Sequence, residues 1–295
     1  MDFFIGVVVF FGVTFILLGL LFARIYFSNK RQERLKDELK RRLAEEKAQQ
    51  EEQQRKQLEE TKRRREAFLR EKRSEFKAAV DSLPMYKITL TDNKHNRNQE
   101  IDIVDKQYKN ITKASAVIKL KDFIAVDVET TGLKTGGNDI IQLSAIKYRD
   151  FKATEAFDAY IKPRKPIPKE ATEINGITDE MVNDAPRFYQ IIDCFNEFIE
   201  DLPLVAHNAP FDIKHLFVNG LDSVVDKTVY DTLELSRKAY KDEYSYKLTD
   251  ICEANNIYPT SSHDSLYDSY AAGELFKCIV ADIKGIDIDD LFVNE

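Results

Sequence analysis

The chain opens with one unbroken apolar run, passes through about fifty residues dominated by charge, and ends in a long stretch where short apolar segments alternate with amphipathic ones. Phe3 to Ala23 is apolar apart from Thr14 and three glycines, about the length that spans a hydrocarbon core. The only charge before it is Asp2, whereas Lys30, Arg31 and Arg34 follow shortly after it. This pattern predicts a transmembrane anchor over residues 1–28, with the span at 3–23. By the positive-inside rule it also predicts a single pass of the cell membrane with the C-terminal bulk in the cytoplasm. A cleaved signal peptide would instead want a basic start, a shorter apolar core and a small-residue cleavage site.

Residues 29–80 carry no glycine or proline and are rich in helix formers. Lys and Arg number 18 and Asp and Glu 12, about +6 net. Opposite charges recur at helical spacing, as in Glu33–Lys36 and Glu59–Arg63. Leu35, Leu39 and Leu43 start a seam, but residues 45–57 hold no large apolar side chain, which argues against a continuous coiled coil. The expectation is a charged helical tether with at most weak self-association. It would reach on the order of 75 Å at 1.5 Å per residue. Its basic charge suits anionic lipid or nucleic-acid phosphate, and equally a solvated spacer.

Beyond the tether, Tyr86–Thr91 alternates like a strand, 92–98 is a polar turn, and Ile101–Val104 is a second short apolar stretch. Residues 81–119 therefore read as a linker or small hairpin. From 120 to 295 the pattern predicts strands near 123–128, 139–148, 154–162, 203–206 and 228–230. Helices are predicted near 179–184, 187–200, 211–218, 232–240, 246–255 and 264–281, with a mobile stretch from Ser236 to Tyr246. The first three strands suit an antiparallel start, and the whole reads as an α/β mixed sheet with flanking helices.

Polar residues interrupt this pattern at three places. In Asp122–Leu133 (DFIAVDVETTGL) the β-branched strand ends in Asp127 and Glu129, which point the same way at i and i+2. A polar strand end is the plainer account of such a pair; Asp287-Ile288-Asp289 shares the pattern with nothing around it. His207–Asp212 (HNAPFD) and His263–Asp268 (HDSLYD) follow in order. His207 follows an apolar strand and Asp212 suits the first turn of a helix. Asp264 suits a helix N-cap, with Asp268 one turn further on. Asp231 reads as polar support close by. With Asp264 set aside as a cap and His207 as structural, these motifs supply four carboxylates and a histidine. That set suits hard divalent cations and one proton acceptor that titrates near neutrality.

The order VDVETTG, HNAPFD, HDSLYD resembles the DEDDh family of 3′→5′ exonucleases, the group that includes the epsilon proofreading subunit of bacterial DNA polymerase III. Ile140–Ile146, Ile174–Asp179 and Tyr230–Ser236 add to the likeness, which covers roughly residues 120–283. The resemblance implies a ribonuclease H-like fold. It implies that Asp127, Glu129, Asp212 and Asp268 hold two Mg²⁺ or Mn²⁺ ions and that His263 is the base. It places Thr130, Gly132 and Leu133 beside the 3′-terminal nucleotide, with His207 in a supporting part. The histidine five residues before Asp268 fits the histidine branch rather than the tyrosine one.

Charge and cysteine usage narrow the rest. From Val80 onward there are 25 basic and 38 acidic residues, about −13, which disfavours a broad duplex-binding face. A single-stranded DNA or RNA 3′ end is the expected partner, and no motif reports the 2′-hydroxyl. The rival readings are an exoribonuclease on short RNA and a membrane-tethered binding module without turnover. Cys194, Cys252 and Cys278 show no paired spacing and suit reduced, buried thiols.

Overall fold

The computed structural model describes residues 2–91, 109–110, 120–134, 136–260 and 263–292, with side chains described from Leu18 onward except at 109–110. Two compact units emerge, Met1–Phe68 and Leu69–Glu295. Helix α1 runs from Asp2 to Asp81. Its exposed surface carries i,i+4 ion pairs such as Arg42–Glu38 at 2.8 Å and Lys56–Glu52 at 2.7 Å. Each is worth only about 0.3–0.5 kcal/mol, so continuity rests on their number and on helix propensity. Among the described residues no helix is long and apolar enough to cross a membrane. Most of the expected span at 3–23 falls on residues 2–17, whose side chains lie outside that description.

The second unit begins at Leu69 rather than at residue 120. Among the described residues its sheet has six strands: β1 (Lys109–Asn110), β2 (Phe123–Thr130), β3 (Ile140–Arg149), β4 (Lys152–Tyr160), β5 (Leu204–Ala206) and β6 (Thr228–Asp231). The order is β1-β6-β5-β2-β3-β4. β2, β3 and β4 pair antiparallel, while β5 joins β2, β6 joins β5 and β1 joins β6 in parallel. The helices of this unit are α2 (Lys169–Asn175), α3 (Asp179–Val182), α4 (Phe188–Ile199), α5 (Ala209–Val218), α6 (Thr232–Ala239), α7 (Leu248–Ala254) and α8 (Ser265–Lys284). The mixed sheet with flanking helices agrees with expectation. α2 and β1 were not foreseen, because a helix of seven residues and a strand of two leave no periodicity to read.

Strand alternation divides the core between the two faces. Ile124, Val126 and Val128 join Leu143, Phe157 and residues of α4 and α5 on one side. Phe123 and Ala125 join Ile146, Tyr148 and residues of α8 on the other. Tyr148 stacks on Phe123 at 4.5 Å between centroids, and Phe276 of α8 meets Phe123 edge-on at 5.0 Å.

Residues 69–91 belong to this body. Phe76 and Val80 at the end of α1 are buried with the α8 cluster, and Phe76 meets Tyr270 edge-on at 5.2 Å. The strand expected at Tyr86–Thr91 is instead an extended segment with one isolated bridge, Met85 to Ala156. Tyr86 N–H donates to the Ala156 carbonyl at 2.7 Å, and Tyr86 and Ile88 pack on the α4 side. An extended chain shows two-residue alternation whether or not it joins a ladder, so the pattern could not separate the two cases. The expected turn at 92–98 and second stretch at Ile101–Val104 lie outside the described residues.

Gly273 marks the closest approach of α8 to the sheet: a Cβ there would lie 2.5 Å from the Tyr148 ring. Gly→Ala in a helix ordinarily gains about 1 kcal/mol, but here the clash falls on a fully buried ring and overpacking costs about 1–3 kcal/mol. Gly273→Ala is therefore expected to lower the denaturant midpoint. A midpoint that rises would show that Tyr148 repacks freely.

Candidate active site

The site is the polar end of the neighbouring strands β2 and β3. On the face toward α8, β2 presents Phe123 and Ala125 and then Asp127 and Glu129. Their partners across the ladder are Tyr148, Ile146, Ser144 and Gln142. The apolar ends anchor α8, and the polar ends grip its first turn. Ser144 Oγ lies 2.6 Å from Ser265 Oγ, and Gln142 Nε2 donates to Asp264 Oδ1 at 3.3 Å. Asp264 caps α8 by accepting from Leu266 N–H at 3.1 Å. His263, just before the cap, takes a left-handed backbone with φ +67°. Its N–H donates to Asp268 Oδ2 at 2.9 Å. The strained turn thereby fixes the histidine against the carboxylate one turn into the helix.

Ligand atoms of Glu129, His263 and Asp268 all lie within 4.8 Å of one another, the tight metal-capable group found among the described residues. Asp127 and Asp212 stand outside that group yet close enough to act on it electrostatically. Asp212 projects from the first turn of α5, and its Oδ1 accepts from Val128 N–H at 3.2 Å. Asp231, at the end of β6, caps α6 and also accepts from Asn208 N–H, holding the start of α5.

Burial dominates the electrostatics. It raises the Asp127 carboxyl well above the carboxylate range, with Asp212, Asp268 and Glu129 adding repulsion. Burial also lifts Glu129 to about 8, despite an opposing hydrogen bond from Asn175, and Asp268 to about 7. Asp212 is raised for the same reason, against a backbone hydrogen bond from Val128. Asp268 Oδ1 is buried with no hydrogen-bond partner, the kind of orphaned acceptor a cation satisfies. Carboxylate oxygens with one imidazole fit Mg²⁺ or Mn²⁺.

The remaining expected residues are placed as follows. Thr130 is buried and its hydroxyl donates to the Gly132 carbonyl at 2.9 Å. Gly132 has φ +156°, and a Cβ there would meet the Asn138 amide at 3.0 Å. Leu133 is exposed at the rim. His207 is half-buried with both ring nitrogens engaged, Nδ1 by Thr232 Oγ1 and Nε2 by the Tyr246 carbonyl, each at 2.9 Å. Burial lowers its pKa to about 4, so the ring is neutral. Within the stretch expected to be mobile, Ser236–Ala239 is the end of α6 and Tyr246 holds this histidine.

Reading the sequence missed four contributors. Asn175 supports Glu129 and donates to the Thr130 carbonyl at 3.4 Å. Gln142 and Ser144 are bound to Asp158 as well as to α8. His215 is buried against Phe211, with ring centroids 4.6 Å apart. The alternation of Gln142 and Ser144 within an apolar strand was the one available signal. A cavity of about 370 Å³ beside His263 is lined by Asn175, Gly176, Ile177, Met181 and Tyr160, among others.

A family model described as exonuclease (RNase_T) matches residues 124–276. The chain belongs to the exonuclease family. PolC-type DNA polymerase III of Caldanaerobacter subterraneus subsp. tengcongensis is 34% identical over 188 residues, covering 63% of this chain and 13% of that protein. The enzyme of the same description from Bacillus subtilis is 36% identical over 183 residues, covering 60% and 13%. The chain thus spans a small part of these curated relatives. Among solved structures, exonuclease X in complex with 5′ overhanging duplex DNA is 22% identical, with a TM-score of 0.42 over 58% of this chain and 99% of that one. E. coli exonuclease I in complex with a 5cy-dT13 oligonucleotide is 19% identical, with a TM-score of 0.47 over 59% and 42%.

Raised carboxyl pKa values make the folded state hold more protons than the unfolded chain. The metal-free exonuclease domain should therefore lose stability as pH rises from about 4 through the Asp268 and Glu129 values near 7 and 8. Calorimetric melting in EDTA should show the decline, and Asp127→Asn should flatten it. A melting temperature that rises with pH across this window would contradict the crowded-carboxylate description.

Proposed function

We propose that this protein is a metal-dependent exonuclease that removes nucleotides from the 3′ end of single-stranded nucleic acid, releasing nucleoside 5′-monophosphates. The observation that carries this reading is the convergence of Glu129, His263 and Asp268 within 4.8 Å beside the half-buried Asp127 and the buried Asp212. Those four carboxylates would hold two Mg²⁺ or Mn²⁺ ions. Bound there, such ions supply a lowered pKa for water and neutralise charge developing on the phosphate. His263, exposed at the mouth of the site and aligned by its backbone bond to Asp268, accepts the proton of the attacking water. Thr130, Gly132 and Leu133 line the rim where the 3′ nucleotide enters, and the 370 Å³ cavity beside His263 has room for it. His207 supports the site from within through Thr232 and Tyr246.

Membrane attachment through residues 3–23 belongs to the same proposal. It is supported by the apolar run and by Lys30, Arg31 and Arg34 on its C-terminal side, which would put the nuclease in the cytoplasm. The tether helix exposes Leu35, Leu39 and Leu43, a short face suited to weak self-association.

The full chain with Mn²⁺ is expected to degrade a 3′-labelled single strand, and EDTA or Asp127→Ala should stop it. Degradation that survives either would refute the mechanism. Matched RNA and DNA oligomers decide between deoxyribonuclease and exoribonuclease.

His263→Ala should keep most of the affinity for Mn²⁺ and lose about 10²–10⁴-fold in turnover. Asp268→Asn should weaken Mn²⁺ binding itself, as an amide replaces an anionic ligand. Calorimetric titration separates the two roles. Loss of binding in His263→Ala alone would make the histidine a ligand and not the base.

Protease added to intact cells should spare the C-terminal domain, and a soluble processed form would point to a signal peptide instead.

A further inference from the structure

The exonuclease domain is acidic, yet the loop between β4 and α2 reads Lys162-Pro-Arg-Lys-Pro-Ile-Pro-Lys169. Three prolines at 163, 166 and 168 restrict this loop's backbone before any ligand arrives. Arg164 is fixed at the rim of the site. Its N–H donates to Asp139 Oδ2 at 2.7 Å and its Nε to Asp139 Oδ1 at 2.6 Å. Asp139 N–H in turn donates to Thr131 Oγ1, and Thr131 N–H to the Asp139 carbonyl, both at 2.9 Å. Thr131 is two residues past Glu129, so a continuous chain of hydrogen bonds ties the basic loop to the catalytic strand.

Between them lies a cavity of about 300 Å³ lined by Thr131, Gly137, Asn138, Arg164 and Lys165, among others, with Asp139, already engaged by Arg164, as its acidic lining residue. A Cβ at Gly136 or Gly137 would touch nothing within 4 Å, so that wall is open. A second cavity of about 240 Å³ on the same loop is lined by Lys162, Arg164, Lys165 and Arg187, with Asp179 its one acidic lining residue. Asp179 is occupied in accepting from Ile167 N–H at 3.0 Å. Arg187 and Lys162 are turned inward, to the Lys162 and Pro163 carbonyls and to the Asn183 carbonyl respectively. Arg164 and Lys165 are both exposed and line both cavities; of the two, Arg164 is held by Asp139.

We propose that the Arg164–Lys165 loop is a second phosphate-binding subsite, which takes the backbone of the strand upstream of its 3′-terminal nucleotides. The ligand is a nucleic-acid phosphodiester, and the enzyme accordingly favours extended single strands over dinucleotides. This rests on the exonuclease reading and deepens it. A point cation on a stiff loop, in a domain that otherwise repels the backbone, accounts for grip without base recognition.

The test compares the full chain with Lys165→Glu, Lys165→Arg and Lys121→Glu, a charge control before the start of β2. Substrates are a dinucleotide and a single-stranded 15-mer, with Mn²⁺. Lys165→Glu should raise KM for the 15-mer roughly tenfold with kcat unchanged and leave the dinucleotide KM as it was. The salt dependence of log KM for the 15-mer should fall by about one. Lys165→Arg should restore both, and Lys121→Glu should alter neither. Equal effects on both substrates, no effect on either, or an equal effect from Lys121→Glu would overturn the subsite while leaving the nuclease reading intact. Failure of the unaltered chain to degrade either substrate would instead overturn the nuclease reading, and the subsite with it.

Discussion

Four carboxylates held in one desolvated place repel one another, and that repulsion is the constraint around which this domain is built. Asp127, Glu129, Asp212 and Asp268 come from a strand and two helices, and each is raised above its ordinary pKa chiefly by burial. Nothing in such a cluster favours its own assembly. It is held by apolar packing at the other end of the same elements, where Phe123, Tyr148 and Phe276 lock β2, β3 and α8 together. Burial of aromatic side chains, each worth a few kcal/mol, is of the right size to offset the cost of crowding the acids. On the proposed function, divalent cations bound there would remove that cost and would link folding, protonation and cation binding through the same four groups.

The hydrogen bonds around the cluster serve position more than stability. Gln142 and Ser144 fasten the start of α8 to β3, Asp264 caps it, and His263 N–H reaches Asp268. On the other side Asp231 holds the start of α5 and so the first turn that carries Asp212. Asp212 and Asp268 are thus placed by the first turns of helices fastened to their neighbours, leaving little freedom for the side chains to spread apart.

The end of α1 joins this arrangement from outside. Lys77 donates to Tyr267 Oη at 2.8 Å, Tyr267 Oη to Asp81 at 2.9 Å, and Arg73 pairs with Glu253 at 3.0 Å. Tyr267 directly precedes Asp268 on α8. Phe76 and Val80 bury their side chains beneath these polar contacts. The last turns of the long helix are therefore part of the wall behind α8.

How much of this could be read without coordinates depends on whether a feature is local. The strand ending in Asp127-Val128-Glu129, the helix opened by Asp264 and the first-turn position of Asp212 follow from spacing, capping and turn chemistry, so the sequence alone determined them. The order of the three motifs was enough to indicate the family and the mixed sheet. Only the tertiary structure decided that residues 69–91 belong to the body, because an amphipathic helix end and an extended segment look the same whether or not a partner surface meets them. It also decided that both nitrogens of His207 are turned inward, and that Asn175, Gln142 and Ser144 gather at the site. Such groups are brought together by packing between elements far apart in the chain, and one-dimensional spacing carries no trace of that distance.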